Sequence, residues 1–530
     1  MLSEDDLGRG GGGGAGERQD VIQTILRGMT SISPDRRSVD SALDPSAEQI
    51  RDMGGRAVEW IAAYHDSIRD LPIGPRTSAA ALKELLAEPL PVEGRDFTDL
   101  LTVFREVVVP GSRHNGHPRF FGYVSAPGTA VAAVADFLAS ALNANLTAWR
   151  SAPAPAELEH VAIDWIKEAL GCDPGAGGLF MSGGSMANFT ALAAARHRHC
   201  GDAVATHGAA AHPAPLRVYA STETHHSIHK AAALLGIGRA NVREIPVDAC
   251  FRMDVDALVR AIEEDRVAGA EPFCVVANAG TVVTGAVDPL AEIAAVARRY
   301  RLWMHVDACY GGFARLAPSA RPLFDGMSEA DSIALDPHKW LYLPADCGCL
   351  IYRDPEAARP AFSLDADYTR VMQTESAEAF AFWDYGPDLS RRFRALKVWM
   401  ALAHAGSRAV GDAVEGNLDC ARHLAELVDA SADFELLAPV ELSIFCFRYL
   451  PMSARAGSRS QSDEEELDRL NERIMLALQQ AGSSYLSNAT INGRFALRGC
   501  VLNYRTTRRD MEILLDDVRR AAEQAIEETR

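Results

Sequence analysis

Apolar positions recur along most of this chain, and the character of their spacing changes from segment to segment. Residues 1–42 lack such recurrence. They are polar and Gly-rich, with an unbroken Gly10–Gly14 run, and that composition predicts a disordered head. From Ala47 to Ala87 the spacing is helical. Met53, Ala57, Trp60, Ile61 and Tyr64 fall on one face, and a second helix is predicted near Ala79–Ala87. A Pro/Gly-rich stretch around Pro118–Gly128 precedes an apolar helix, Val131–Leu142. Another helix, from near Ala156 to Leu170, stops at Gly171, a residue suited to a C-cap.

The middle of the chain alternates. Short apolar runs predict strands at Leu216–Ala220, Phe273–Ala277, Leu302–Val306, Ser332–Leu335 and Gly348–Tyr352, with helices at Ser227–Leu235 and Leu290–Tyr300. This alternation implies an α/β domain with a largely parallel sheet, which binds ligands outside the carboxyl ends of its strands. Beyond Arg391 the pattern turns mixed: a helix Arg394–Leu402, strand-like runs at Ser443–Tyr449 and Ala496–Asn503, and between them a polar loop Ala454–Asp463 and a helix Glu464–Gln480. The predicted division is an N-terminal helical segment (43–126), a large domain (127–400) and a small C-terminal α+β domain (401–530).

Composition narrows the class of protein. A length of 530 residues suggests about three domains as a starting expectation. The formal net charge of −19 argues against a nucleic-acid or anionic-membrane partner, whose footprint is basic. No uncharged run is long enough to span a bilayer; the nearest, Gly128–Leu146, is interrupted by Asp136 and two Asn. The N-terminus has no basic-then-apolar leader pattern. Ten cysteines are scattered without paired spacing and read as reduced thiols. The expectation is a soluble, cytoplasmic protein.

Of the 53 basic residues only five are lysines, Lys83, Lys167, Lys230, Lys339 and Lys397, so any amine chemistry must fall on one of them. Four lie in helical patterns that predict solvated faces. Lys339 follows the strand Ser332–Leu335 in Asp336-Pro337-His338-Lys339-Trp340, where Pro337 ends the ladder. Two readings stay open, a structural lysine and a desolvated Schiff-base amine of depressed pKa. Asp307 closes the run Leu302–Val306 and is either a turn cap or the partner of a buried cation. The carboxylate that keeps a pyridine nitrogen protonated would be such a partner. Met181-Ser182-Gly183-Gly184-Ser185 precedes a helix predicted at Phe189–Arg196; small residues there allow backbone amides to approach an anion, or simply cap the helix. His225, His226 and His229 match no metal-ligand spacing, and no metal site is expected. His225 is read as an imidazole for stacking on a ring, or as a solvated first helical turn. His197, His199 and Cys200 read as a polar helix C-terminus.

Taken together, GHPRFFGY (116–123), SAPAPAELE (151–159), MSGGSMAN (181–188), THHS (224–227), NAGTVVTGAVDPL (278–290), HVDACYGG (305–312), DPHKWL (336–341) and RRFRALK (391–397) resemble, in order, the group II pyridoxal-phosphate-dependent amino acid decarboxylases, among them aromatic-L-amino-acid decarboxylase. The resemblance runs from about Ala47 to the C-terminus. It implies fold type I, the aspartate-aminotransferase-like α/β architecture of a large mainly parallel-sheet domain with a small C-terminal α+β domain. It implies pyridoxal 5′-phosphate as cofactor and a homodimer sharing its active sites. Lys339 would carry the cofactor as an imine, Asp307 would pair with the pyridine nitrogen and His225 would stack on the ring. Thr281 would bond the ring hydroxyl region or the substrate carboxylate. Gly184 and Ser185 would hold the phosphate, beside His338. Tyr368 would be the proton donor of a mobile loop over residues 365–385; a Phe there marks relatives that release aldehydes.

Two departures stand out. Cys309 takes the place of a common Ala, adding an oxidisable group, and Asp336 that of a phosphate-contacting Asn. A carboxylate would repel a phosphate, so Asp336 is expected to bond backbone N–H or His338 instead. Phe120, Phe121 and Trp149 lie in segments that line the substrate pocket in relatives, favouring an aromatic substrate, or they pack the core. Arg119 and Asn145 replace apolar or aromatic residues and leave a more polar substrate open. The expected activity is decarboxylation of an L-amino acid to its amine and CO2. The alternatives are a polar or acidic substrate, aldehyde synthesis, or cofactor binding without catalysis.

Overall fold

The structure is a computed structural model and describes residues 43–363, 380–455 and 459–527. The head 1–42 and Tyr368 lie outside the described residues. The chain divides into two compact units that part between Tyr64 and His65.

The longer helices before the first sheet are α1 (Ala47–Ser67), α2 (Ala79–Leu86), α3 (Phe97–Val103), α4 (Ala130–Leu142) and α5 (Pro153–Leu170). Helix α5 shows how its sequence sets its limits. Pro153 occupies the first turn, where no N–H is needed, and Gly171 ends the helix in the left-handed region at φ 68°. A Cβ at Gly171 would also meet the Arg315 guanidinium.

The large sheet has seven strands: β1 (Gly177–Met181), β2 (Leu216–Ser221), β3 (Val242–Ile245), β4 (Glu271–Asn278), β5 (Trp303–Asp307), β6 (Ser332–Leu335) and β7 (Gly348–Tyr352). Their order is β1-β7-β6-β5-β4-β2-β3. All neighbours are parallel except around β7, which is antiparallel to both β1 and β6. The two reversals at β7 leave β1 running with β6, so six strands present their carboxyl ends at one edge. Helices α6 (Gly184–Cys200), α7 (Ser227–Leu234), α8 (Val255–Val267) and α9 (Leu290–Tyr300) connect them. Strands β4 to β7 are nearly continuous apolar runs, as strands covered on both faces must be.

Next comes α10 (Ala395–Asp429), broken at Gly406 by a left-handed φ of 78°. It leads to a second sheet of four antiparallel strands, β8 (Phe434–Leu436), β9 (Ile444–Tyr449), β10 (Ser487–Ile491) and β11 (Arg494–Cys500), in the order β10-β11-β9-β8. Helices α11 (Gln461–Ala481) and α12 (Arg508–Glu527) share an apolar core with that sheet. The mainly parallel sheet with a smaller α+β unit is the architecture expected. No helix among the described residues is long and apolar enough to cross a membrane.

Two of the four lysines expected on solvated faces are buried. Lys397 is fully enclosed, and its Nζ donates to Asp136 and to the Pro344 carbonyl, at 3.0 and 2.9 Å. Lys167 donates to the carbonyls of Pro174 and Ala176 and pairs with Asp164. A helical period cannot distinguish a solvated cation from one whose stem is buried and whose head is fully bonded. Lys83 and Lys230 are exposed as expected. Two residues of the quoted motifs likewise hold the scaffold together. Glu159 of α5 and Arg391 form a buried ion pair, in which Arg391 also donates to the carbonyls of Leu146 and Phe180 and covers the Phe382 ring at 4.1 Å. Glu159 accepts the Phe180 amide at 3.0 Å, which fixes β1 against α5.

Candidate active site

The carboxyl ends of β1, β2, β4, β5 and β6 converge on a cavity of about 400 Å³. Its wall includes the loop Ser182–Ser185 after β1, His225 after β2, Asn278 and Gly280 at the end of β4, Asp307 and Cys309 at the end of β5, and Asp336, His338 and Lys339 after β6. Residues spread over more than 150 positions meet because parallel strands bring successive loops to one edge.

Asp307 is the last residue of β5 and is buried. Its Oδ2 accepts from Asn188 Nδ2 at 2.8 Å, and its Oδ1 from the Cys309 amide at 3.2 Å. Burial opposes its ionisation, but the neighbouring His305 and Lys339 and the Cys309 side chain outweigh it and hold its pKa below the usual carboxylate value. His305 is itself pushed down to about 4 by burial. At neutral pH it is therefore uncharged, and Lys339 is the cation that matters.

Asn188 organises this floor. Its amide nitrogen donates both to Asp307 and to Ser227 Oγ, each at 2.8 Å, and its oxygen is 2.9 Å from His305 Nε2. His305 Nδ1 reaches Ser332 Oγ at 2.9 Å, which also receives the Trp303 indole N–H. Ser227 Oγ, accepting from Asn188, is 2.7 Å from His225 Nδ1, and the Ser227 amide also points at that nitrogen at 3.3 Å. Two donors directed at Nδ1 assign the ring proton of His225 to Nε2. Desolvation lowers the His225 pKa and the Asp307 charge opposes this only in part, so the imidazole is neutral at pH 7. Replacing Asn188 by Ala strips a partner from three buried groups at once, Asp307, Ser227 and His305. The expected loss of stability is about 1–3 kcal/mol, measured by denaturant unfolding, together with a lower kcat as Asp307 and His225 lose their fixed orientations.

Lys339 differs from expectation. Its pKa is raised: burial opposes the charge, but Asp336 and Asp307 outweigh burial. The Nζ lies 2.9 Å from Asp336 Oδ2. Asp336 also accepts the Gly184 amide at 2.6 Å and lies 3.6 Å from His338 Nδ1, which bonds the Cys347 carbonyl at 2.8 Å. Asp336 thus takes a backbone N–H, as anticipated, and also serves as an acceptor for the Lys339 proton.

That contact changes the part available to Gly184. Its amide is committed to Asp336, and those of Met186 and Ala187 go to the Gly183 carbonyl. The amide and exposed hydroxyl of Ser185, in the first turn of α6, are the donors left for an anion. The space above them depends on Gly184, because a Cβ there would overlap Cys309 Sγ and approach Asp336 Oδ2 to 2.9 Å. Burial and the adjacent carboxylates push the Cys309 thiol well above its ordinary pKa, leaving it protonated and a poor target for oxidation.

The remaining expected residues make the following contacts. The Thr281 hydroxyl is buried in its own turn, 3.0 Å from Thr284 Oγ1 and accepting the Ala286 amide. Phe120, Phe121 and Trp149 are absent from the cavity wall. Phe120 stacks on Tyr485 at 5.1 Å, and Trp149 donates to Glu157 at 2.6 Å. Phe121 is fully buried in the core of the second sheet, edge-on to Phe445. Replacing Phe121 by Ala is therefore expected to cost about 3–5 kcal/mol of stability in denaturant unfolding; a pocket residue would shift KM without that cost. Sequence reading gave no part to Asn188, Ser227 or His305, although all three sit inside the quoted motifs.

The site suits a phosphorylated pyridine cofactor. It joins a buried, ionised carboxylate at a strand end, a lysine, an imidazole whose donor edge is defined, and a helix N-terminus opened by glycine. An α/β fold with these groups at its strand ends defines a cofactor-dependent enzyme of the fold type I, aspartate-aminotransferase-like class. A family model described as the pyridoxal-dependent decarboxylase conserved domain matches residues 80–450. An aromatic-L-amino-acid decarboxylase of Bacillus atrophaeus is 33% identical over 482 residues, covering 91% of this chain and 97% of its own. Tryptophan decarboxylase 1 of Oryza sativa subsp. japonica is 32% identical over 86% of this chain and 90% of its own. The solved structure of Oryza sativa TDC with PLP and tryptamine superposes with a TM-score of 0.83 at 29% identity, covering 92% of this chain and 99% of that one. The chain belongs to the pyridoxal-dependent decarboxylase family. It is an enzyme, a carboxy-lyase acting on an amino acid, and its cofactor is pyridoxal 5′-phosphate.

Proposed function

We propose that the enzyme converts an aromatic L-amino acid to its amine and CO2. The observation that carries this reading is the convergence of Asp307, Lys339 and His225 on one cavity, in a chain whose relatives above are named for aromatic substrates. When bound, the cofactor supplies a cationic pyridine ring that accepts the electron pair left by the departing carboxylate.

The chain's residues support that chemistry as follows. Asp307, ionised and held by Asn188 and Cys309, accepts the ring N–H and keeps that proton in place. His225, on the cavity wall with its Nε2–H free of Ser227, would support the face of the ring. Lys339 would hold the cofactor through its amine, and Asp336, 2.9 Å from Nζ, fixes the position of that group and accepts its N–H. The Ser185 amide and hydroxyl bind the phosphate, with His338 beside it. Tyr368, outside the described residues, donates the proton to the substrate Cα.

Exposed apolar side chains support a homodimer. Phe137, Leu138 and Leu142 on α4, and Leu85, Leu90 and Val92 in and after α2, are open to solvent, and a second copy would cover them. On this reading 43–126 is a flap, 127–400 the cofactor domain and 401–530 the small domain. All ten cysteines are free, which supports a reducing, cytoplasmic setting.

The test is the ratio of kcat/KM values. Tryptophan, tyrosine or 3,4-dihydroxyphenylalanine should exceed glutamate by at least about 100-fold, the scale on which a pocket separates unlike side chains. Faster turnover of glutamate would overturn the aromatic assignment.

A further inference from the structure

We propose that His199, His212 and Glu271 form a divalent-metal site of the zinc class, separate from the cofactor cavity. His199 ends α6, His212 precedes β2, and Glu271 opens β4. The Nε2 atoms of His199 and His212 lie 2.9 and 3.1 Å from the same oxygen, Glu271 Oε2. All three ligand atoms fall within 4.8 Å of one another. Ligand atoms about 2.0–2.2 Å from a tetrahedral zinc stand roughly 3.3–3.5 Å apart, so side-chain rotations of small size admit the ion.

The backbone already holds these residues in place. Leu216 and Glu271 are register partners in the parallel β2–β4 pair, and the Glu271 amide donates to the Pro215 carbonyl at 2.8 Å. The His199 ring packs 5.8 Å from that of Phe273, two residues further along β4. The rings of His199 and His212 meet at 66°, each turning a nitrogen edge to the carboxylate.

The chemistry selects the ion. Two imidazoles and one carboxylate suit zinc, and also nickel or copper(II), whereas magnesium and calcium prefer all-oxygen sets. Glu271 pairs with no arginine or lysine among the described residues; its charge faces the two imidazoles. Its side chain is 45% exposed and those of His199 and His212 are 28% and 19%, which leaves the ion a way in and a coordination position for water. The carbonyl end of α6 adds negative potential. The other end of α6, about 24 Å away at 1.5 Å per residue, begins at the cofactor loop. A bound ion would therefore tie the far end of that helix to the edge of the sheet without entering the chemistry.

The experiment uses tag-free holoenzyme, stripped of metal by a chelating resin and titrated with zinc chloride against a chromophoric chelator. One zinc per chain is expected, with a rise in melting temperature. His199→Ala and His212→Ala should each weaken binding by at least about 10–100-fold, the loss expected even for an outer-shell partner, and should abolish the rise. His207→Ala, at a nearby exposed histidine, should bind as the parent does. Retained visible absorbance of the bound cofactor shows that each variant is folded. Failure of the parent to take up one zinc, or undiminished affinity in the His199/His212 double variant, would overturn the proposal.

Discussion

Replacing Lys339 by alanine removes the visible absorbance of the lysine-linked cofactor and lowers CO2 release by on the order of 10³-fold or more. The reasoning starts from the lysine inventory. Lys83 and Lys230 are exposed on helices, while Lys167 and Lys397 have their ammonium groups committed to carbonyls and carboxylates. Lys339 is the lysine on the cavity wall, with a proton acceptor, Asp336, at 2.9 Å. Among the described residues no other lysine lines the cavity. The spectrum and the rate should fail together; an absorbance unchanged in the variant would mean that another amine holds the cofactor.

The second large effect is expected at Asp307. Changing it to alanine removes the buried charge that keeps the pyridine nitrogen protonated, and kcat should fall on the order of 10²–10³-fold, as when a preorganised electrostatic group is deleted. Cofactor affinity should weaken as well, because Asn188 Nδ2 and the Cys309 amide lose their acceptor. Asp307→Asn separates the two contributions. It keeps a side-chain acceptor for those donors but not the charge, so binding should recover more than rate does. Equilibrium dialysis of the cofactor together with single-turnover rates reads both.

Much of the large domain was legible in the sequence because parallel-sheet strands are short apolar runs closed by distinctive residues. The strands ending at Asp307 and at Leu335 appear within a residue of their predicted limits. The less apolar strands escaped. Val242–Ile245 is an edge strand with two exposed residues, and Gly177–Met181 opens on two glycines. Helix α6 also began earlier than its apolar pattern suggested, at Gly184, because the glycine turn is itself the first helical turn.

The site was legible where a residue type has few alternative uses. An aspartate closing an apolar strand and a lysine after a strand-ending proline are both uncommon, and both line the cavity. The supporting residues were not legible, since Asn188, Ser227 and His305 have ordinary helix and strand identities. Their importance lies in bonds formed across 39 to 119 positions of sequence. The raised pKa of Lys339 was unreadable for the same reason, because it depends on where the carboxylate three residues away points. Of the two readings left open for Phe121, the side chain's burial in the core of the second sheet fits packing.

The most direct test of the account is the product balance. Holoenzyme incubated with a preferred aromatic L-amino acid should release CO2 and the corresponding amine in equal amounts, without hydrogen peroxide or ammonia. Aldehyde synthesis on the same cofactor is the alternative outcome. Aldehyde, ammonia and hydrogen peroxide in place of the amine, or no CO2 from any amino acid, would contradict the account.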